Sequence, residues 1–144
     1  MQTPQKPVES CYSNVERLKA ILSENQKIKT IERIEKPWGY ELLWAKTDHY
    51  VAKILVVRAG HSLSLQYHRQ KEETMFLEAG ECSIETGPTP DDLKRIEFSP
   101  GNVFHIPPGL IHRIHAKTDC RIFEVSTPHL NDVIRLDDNY GRKS

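Results

Sequence analysis

The sequence predicts an all-β domain, an antiparallel barrel or sandwich that carries one N-terminal helix. Three observations lead there. Short runs that alternate apolar and polar residues recur through most of the chain, and that period of two is the signature of a half-buried strand. Glycine and proline punctuate the runs at nearly regular spacing, as at Lys36-Pro37-Trp38-Gly39, Ser99-Pro100-Gly101 and Pro107-Pro108-Gly109, without the βα alternation of a parallel sheet. The length, 144 residues at 38% hydrophobic content, suffices for one domain with a core and is too short for two ordinary ones.

Residues 1–33 are expected to form a tail, a helix and a first strand, and residues 34–144 the barrel. The first eleven residues carry Pro4 and Pro7 among polar neighbours and read as a loose terminus. Ser13 with Glu16 makes a capping box, and Val15, Leu18, Ile21 and Leu22 fall on one helical face, so a helix is expected over Asn14–Asn25. A helix of about three turns is marginal alone in water, so this stripe calls for a surface to cover it. Ile28–Ile34 alternates as a strand and Tyr40–Trp44 resumes after the Pro-Trp-Gly break. A turn at Thr47-Asp48 leads to Tyr50–Val57, rich in β-branched residues. Gly60–Gly80 supplies two strands, Cys82–Thr86 another, Gly87–Asp92 a loop, and Lys94–Phe98, Val103–Ile106 and Leu110–His115 three more.

Charge and cysteine usage narrow the partners. Twenty basic residues balance twenty acidic ones and no Lys/Arg cluster matches a phosphate backbone, so nucleic acid is not an expected partner. The polar start lacks an apolar signal core and no run is long enough to cross a bilayer. A membrane is therefore not expected either, and a cytoplasmic location is. Cys11, Cys82 and Cys120 are odd in number and lack CxxC spacing, which points to reduced thiols, with Cys82 and Cys120 as small core residues in strands.

The chemistry concentrates between Gly60 and Gly80. Gln66 and His68 share one face of an alternating run, a charged turn spans Arg69–Glu72, and Glu73, Met75 and Leu77 alternate again. Read as an antiparallel hairpin, that turn brings Gln66, His68 and Glu73 together. An amide oxygen, an imidazole and a carboxylate make a seat for a divalent ion of the zinc, manganese, iron, cobalt or nickel group. A fourth ligand has to come from elsewhere. After the rigid Pro107-Pro108-Gly109 turn, His112 and Ile114 share one strand face and Ile111, Arg113 and His115 the other. Only one of His112 and His115 can then face inward, and a histidine just after that turn is a sensible fourth ligand. His105 and His115 read otherwise as surface or strand filler. The same four polar groups also admit a metal-free polar core network.

Two separated strings resemble the cupin motifs. Gly60, five residues, Gln66-Tyr67-His68, four residues, Glu73, six residues, Gly80 is similar to the first motif, with glutamine at the commoner histidine position. Gly101, five residues, Pro107-Pro108-Gly109, two residues, His112 is similar to the second. Within the cupins, Lys36–Trp44, Leu63–His68, Ile106–Arg113 and Asp137–Arg142 resemble the cupin domain of type II mannose-6-phosphate isomerases. That resemblance implies a double-stranded β-helix, or jelly roll, with Gln66, His68, Glu73 and His112 holding one divalent ion, zinc foremost. It implies an aldose–ketose isomerase acting on a sugar phosphate of the mannose 6-phosphate and fructose 6-phosphate type, with Lys53 and Arg142 as catalytic candidates. A homodimer is expected, with Asn14–Ile34 as the exchanged or contacting segment. Lys71, Thr74, Met75 and Ala116 depart from the residues these isomerases carry around the two motifs. The chain has no room for the nucleotidyltransferase domain of the bifunctional enzymes, so sugar-nucleotide synthesis is not expected. A metal cupin of other chemistry, such as an iron dioxygenase, and a non-catalytic sugar-binding cupin are the alternatives. Asp137–Tyr140 reads, on composition alone, as a solvated acidic tail.

Overall fold

The computed structural model describes residues 15–25 and 28–143. It divides into two compact units, residues 1–30 and 31–144. The first holds the helix α1 (Val15–Asn25). Glu16 in its first turn complements the helix N-terminus and accepts from Lys19 Nζ at 2.7 Å. Val15, Leu18, Ile21 and Leu22 are all exposed, so the apolar stripe stands open in the single chain. Ser13 of the expected capping box, the N-terminal tail and Cys11 lie outside the described residues.

The second unit consists of eleven strands: β1 (Glu32–Lys36), β2 (Gly39–Lys46), β3 (Val51–Val57), β4 (Leu65–Tyr67), β5 (Glu73–Ala79), β6 (Cys82–Thr89), β7 (Asp92–Phe98), β8 (Val103–Ile106), β9 (Ile111–Ala116), β10 (Cys120–Ser126) and β11 (Ile134–Asp137). They form two antiparallel sheets, ordered β1-β2-β3-β10-β5-β8 and β11-β4-β9-β6-β7. Leu55, Val57, Leu77 and Ile122 from the first sheet pack with Ile84 and Ile114 from the second, each at most 2% exposed. The core therefore lies between the sheets, as in a jelly roll. Cys82 and Cys120 are buried free thiols in it, and burial pushes the Cys82 thiol up to about 12, which leaves it inert as a nucleophile.

Three expectations need correction. The strands around Arg69–Glu72 do not form a hairpin: β4 pairs with β9 and β11, whereas β5 pairs with β10 and β8. The turn crosses from one sheet to the other, and Asp132 holds it by accepting from the backbone N–H groups of Arg69, Gln70 and Lys71 at 3.0, 2.6 and 2.8 Å. The first strand begins at Glu32, four residues later than expected, and Ile28 is wholly exposed. The Gly87–Asp92 loop is mostly strand, because β6 runs to Thr89 and β7 starts at Asp92.

Gly80, between β5 and β6, has a φ of +97°, and a Cβ there would lie 2.3 Å from the Asp119 carbonyl oxygen. The turn requires glycine on both counts.

Candidate active site

Four side chains from three elements and a turn converge inside the barrel. Gln66 lies on β4 directly opposite His112 on β9. His68 follows β4 by one residue, and Glu73 opens β5. His68, Glu73 and His112 are each at most 2% exposed. Nε2 of both histidines lies 3.2 Å from Oε1 of Glu73, and among the described residues these three form a group whose ligand atoms fall within 4.8 Å of one another. Gln66 Nε2 is 3.5 Å from His112 Nε2, while its Oε1 accepts from Ser64 Oγ at 2.6 Å. A half-turn of the amide exchanges the two atoms and directs the oxygen at the site.

The partners behind the rings settle their tautomers. His68 Nδ1 donates to the Asp132 carbonyl at 2.5 Å, and His112 Nδ1 donates to the Leu110 carbonyl at 3.0 Å. With Nδ1 protonated, neutral imidazoles present Nε2 lone pairs inward, which is the orientation that metal-ligating histidines take. Burial opposes ionisation of Glu73, and with neither Nε2 donating in these tautomers it is the Lys71 ammonium that draws its carboxyl below the ordinary carboxylate range. Two nitrogen lone pairs thus face one carboxylate oxygen in a buried site. Such a convergence is unfavourable until a cation joins it. Two imidazoles, a carboxylate and an amide oxygen fit a borderline divalent ion.

Lys71 sits behind this cluster. Its Nζ lies 2.5 Å from Glu73 Oε2, an ion-pair contact outside hydrogen-bonding angles, and donates to Glu124 Oε1 at 3.0 Å. Burial alone would lower the ammonium, but Glu124 and Glu73 outweigh it and raise it above the ordinary lysine value. Burial, then the Glu73 charge, push the Glu124 carboxyl up to about 7 against the pull of Lys71 and Lys53.

The cluster adjoins a cavity of about 340 Å³. Gln66, Lys71 and Glu124 line it, and so do both catalytic candidates, Lys53 and Arg142. Lys53 Nζ donates to Glu41 Oε2 at 2.9 Å. Arg142 is clasped by Asp138, whose carboxylate accepts from its Nε at 3.0 Å and from its second guanidinium nitrogen at 2.9 Å. Six cationic side chains line the cavity, Lys36, Lys53, Lys71, Arg135, Arg142 and Lys143, against Glu41 and Glu124. Six minus two leaves a formal excess of four positive charges before Asp138 is counted, a field that favours an anionic ligand.

The remaining histidines lie elsewhere. His105 is exposed and 3.2 Å from Glu72. His115 bonds Ser62 and Glu85 on the opposite face of β9 from His112. Of the departures from the isomerase strings, Lys71 and Met75 reach the cavity, Thr74 faces His105 at 3.2 Å, and Ala116 is buried in the core. Asp137 is exposed, as an acidic tail would be, but the side chain of Asp138, a half-buried residue, is turned in against Arg142. Sequence reasoning missed Glu124, Glu41 and Asp132. A visible signal existed for Glu124: Cys120, Ile122, Glu124 and Ser126 alternate on one face, which places a carboxylate in line with core residues.

Comparison with known proteins fits this geometry. The model of the family described as mannose-6-phosphate isomerase C-terminal matches residues 23–138. A xanthan biosynthesis protein, XanB of Xanthomonas campestris pv. campestris, is 25% identical over 115 residues, covering 76% of this chain and 24% of its own length. The chain thus spans about a quarter of that relative. Among solved structures, the capsular polysaccharide assembling protein CapF from Staphylococcus aureus superposes with a TM-score of 0.67 at 19% identity, over 77% of this chain and 35% of that one. KdgF from Halomonas sp. superposes with a TM-score of 0.57 at 19% identity, over 70% and 87%. An RmlC-like cupin from Shewanella frigidimarina gives 0.59 at 16%, over 70% and 86%. These structural likenesses establish the fold, a cupin jelly roll. With the family match extending over most of its length, the chain belongs to the mannose-6-phosphate isomerase C-terminal family.

Proposed function

We propose that this chain is a metal-dependent isomerase that interconverts an aldose phosphate and a ketose phosphate, of the mannose 6-phosphate and fructose 6-phosphate type. The observation that carries the reading is the set of inward lone pairs on His68, His112 and Glu73 beside a cavity rich in cations. In this reading Gln66, His68, Glu73 and His112 hold one divalent ion, zinc first, with manganese, iron, cobalt and nickel as alternatives. Such an ion supplies Lewis acidity to the carbonyl and hydroxyl oxygens of a bound sugar. Arg142, preset by Asp138, is suited to a phosphate because a guanidinium offers two parallel donors. Lys53, already paired with Glu41, contributes positive field at the cavity wall instead of acting as a base.

A second reading has a specific support. Lys71 at 2.5 Å from Glu73 supplies a cation to that carboxylate, which favours a metal-free, sugar-binding cupin. Elemental analysis of the purified protein, paired with a coupled assay for mannose 6-phosphate conversion with and without chelator, separates the two. Stoichiometric metal with chelator-sensitive turnover supports the isomerase. Metal without turnover keeps the site and discards the substrate, and absence of metal leaves the binding module. We also infer a homodimer, supported by the open apolar stripe of α1 and by β1 at the edge of its sheet. A monomeric mass in solution would refute it.

A further inference from the structure

We propose that Glu124 is the catalytic group that carries the proton between adjacent carbons of the substrate, an assignment that rests on the isomerase reading above. Glu124 lies on β10 between Lys53 on β3 and Met75 on β5. It is only 5% exposed, yet it lines the cavity. The Lys71 ammonium holds its Oε1 at 3.0 Å and touches Glu73 with the same nitrogen, so one side chain separates it from the candidate metal ligands. Among the described residues no donor engages its Oε2, which leaves that oxygen for a substrate.

The other ionisable groups at this level are committed. Glu73, His68 and His112 face one another. Glu41 accepts from Lys53 at 2.9 Å and lies 4.0 Å from Lys36. Lys53 is engaged by Glu41, Lys71 by two carboxylates, and Arg142 by Asp138. Glu41 also has one oxygen held by cations and one open at the wall, but among the described residues Glu124 is the carboxylate whose ammonium partner also touches a candidate metal ligand. Burial raises the Glu124 carboxyl against the pull of Lys71 and Lys53, the direction that a general base needs.

The step balances within the substrate. The C2–H bond of the aldose breaks, its electron pair forms the C1–C2 double bond as the C1 carbonyl π pair moves to O1 to give an enediolate, and the proton passes to Glu124. The hydroxyl proton then passes from O2 to O1. Glu124 returns its proton to C1 as the C2 carbonyl forms. C2 is oxidised and C1 reduced by the same electron pair, so no co-reactant is consumed.

The test compares the full-length wild type with Glu124→Gln and Glu124→Asp, both metal-loaded. Three quantities are read: turnover against pH, bound metal, and affinity for a phosphorylated sugar hydroxamate that mimics the enediol. In Glu124→Gln turnover should fall roughly 10²- to 10⁴-fold, the loss expected for a general base. Metal content and hydroxamate affinity should stay within about three-fold, and Glu124→Asp should recover part of the rate with a displaced pH profile. A readout independent of turnover is the infrared difference between wild type and Glu124→Gln in metal-free protein. It should carry one carboxylic acid band that titrates near neutral pH. Turnover of Glu124→Gln within ten-fold of wild type overturns the assignment while leaving the isomerase reading intact. A metal-loaded wild type that binds the hydroxamate but converts no aldose phosphate overturns both.

Discussion

Loading the site with a divalent ion should raise the melting temperature of the barrel by several degrees, and removing one ligand should abolish the increment. Nε2 of His68 and of His112 face Glu73 Oε1 at 3.2 Å while each Nδ1 donates to a backbone carbonyl. An ion that binds this folded arrangement and not the unfolded chain stabilises by RT ln(1 + [L]/Kd), about 2.7 kcal/mol at a free concentration one hundred times Kd. At roughly 2–4 °C per kcal/mol for a domain of about this size, the shift is roughly 5–11 °C. His68→Gln and His112→Gln keep a polar side chain and remove a ring nitrogen. A site weakened about a thousand-fold retains, at the same free ion, only about 0.06 kcal/mol of that increment. The assay is calorimetry of chelator-stripped protein titrated with zinc, manganese, iron, cobalt and nickel in turn, with circular dichroism to verify that each variant folds. The reasoning fails if none of the five ions moves the wild-type transition, or if both variants shift as far as the wild type.

Three further outcomes follow from the neighbouring contacts. Lys71→Met leaves Glu73 and Glu124 without the ammonium between them and should cost about 3–5 kcal/mol in urea unfolding, the usual effect of breaking a buried ion pair from one side. Adding Glu124→Gln should return part of that loss, because one of the two facing carboxylates is gone. Asp132→Ala removes the acceptor that gathers the Arg69, Gln70 and Lys71 N–H groups and loosens the loop whose carbonyl orients His68. Metal affinity, read by competition with a chromophoric chelator, should fall roughly 10- to 100-fold. Asp138 titrates below the ordinary aspartate range because Arg142 donates to it and outweighs burial. A depressed folded pKa gives stability that is complete above the unfolded value, ~4, and is lost as pH falls through the folded one. Urea unfolding of wild type and Asp138→Asn should therefore differ at pH 7 and converge in strong acid.

The alternation that makes strands was legible because each β element buries one face. Cys82 and Cys120 were placed in the core from the sequence and are buried. Gln66, His68, Glu73 and His112 were named from the two cupin-like strings, although the hairpin expected to bring Glu73 to the others is a crossing between sheets. Sheet membership was not legible. Arg69–Glu72 has the composition of a hairpin turn, and only the long-range clamp by Asp132, about sixty residues away, makes it a crossing between sheets. Local chemistry cannot announce a partner at that separation. For the same reason Glu124 went unassigned: its side chain acquires meaning from Lys71, 53 positions earlier.

Cross-strand register explains how one barrel holds both a core and a charged site. Along β3, β10 and β5, Leu55 pairs with Ile122 and Ile122 with Leu77, all buried and apolar. Two residues further on, Lys53 pairs with Glu124 and Glu124 with Met75. The same inward face thus changes from aliphatic to ionisable within one strand repeat, and it does so on β3 and β10 at the same level. The aliphatic level supplies the burial that holds the sheets together. The ionisable level alternates in sign, from Glu73 through Lys71, Glu124, Lys53 and Glu41 to Lys36, with contacts of 2.5 to 4.0 Å on either side of the Glu124–Lys53 step. Each buried charge is flanked by opposite ones, which offsets desolvation that would otherwise be prohibitive. A chain of this kind adds little to stability relative to leucine and methionine at the same positions. Its placement beside the inward lone pairs is what the proposed isomerase would require for an anionic, proton-exchanging substrate, at the expense of the stability an aliphatic level would give.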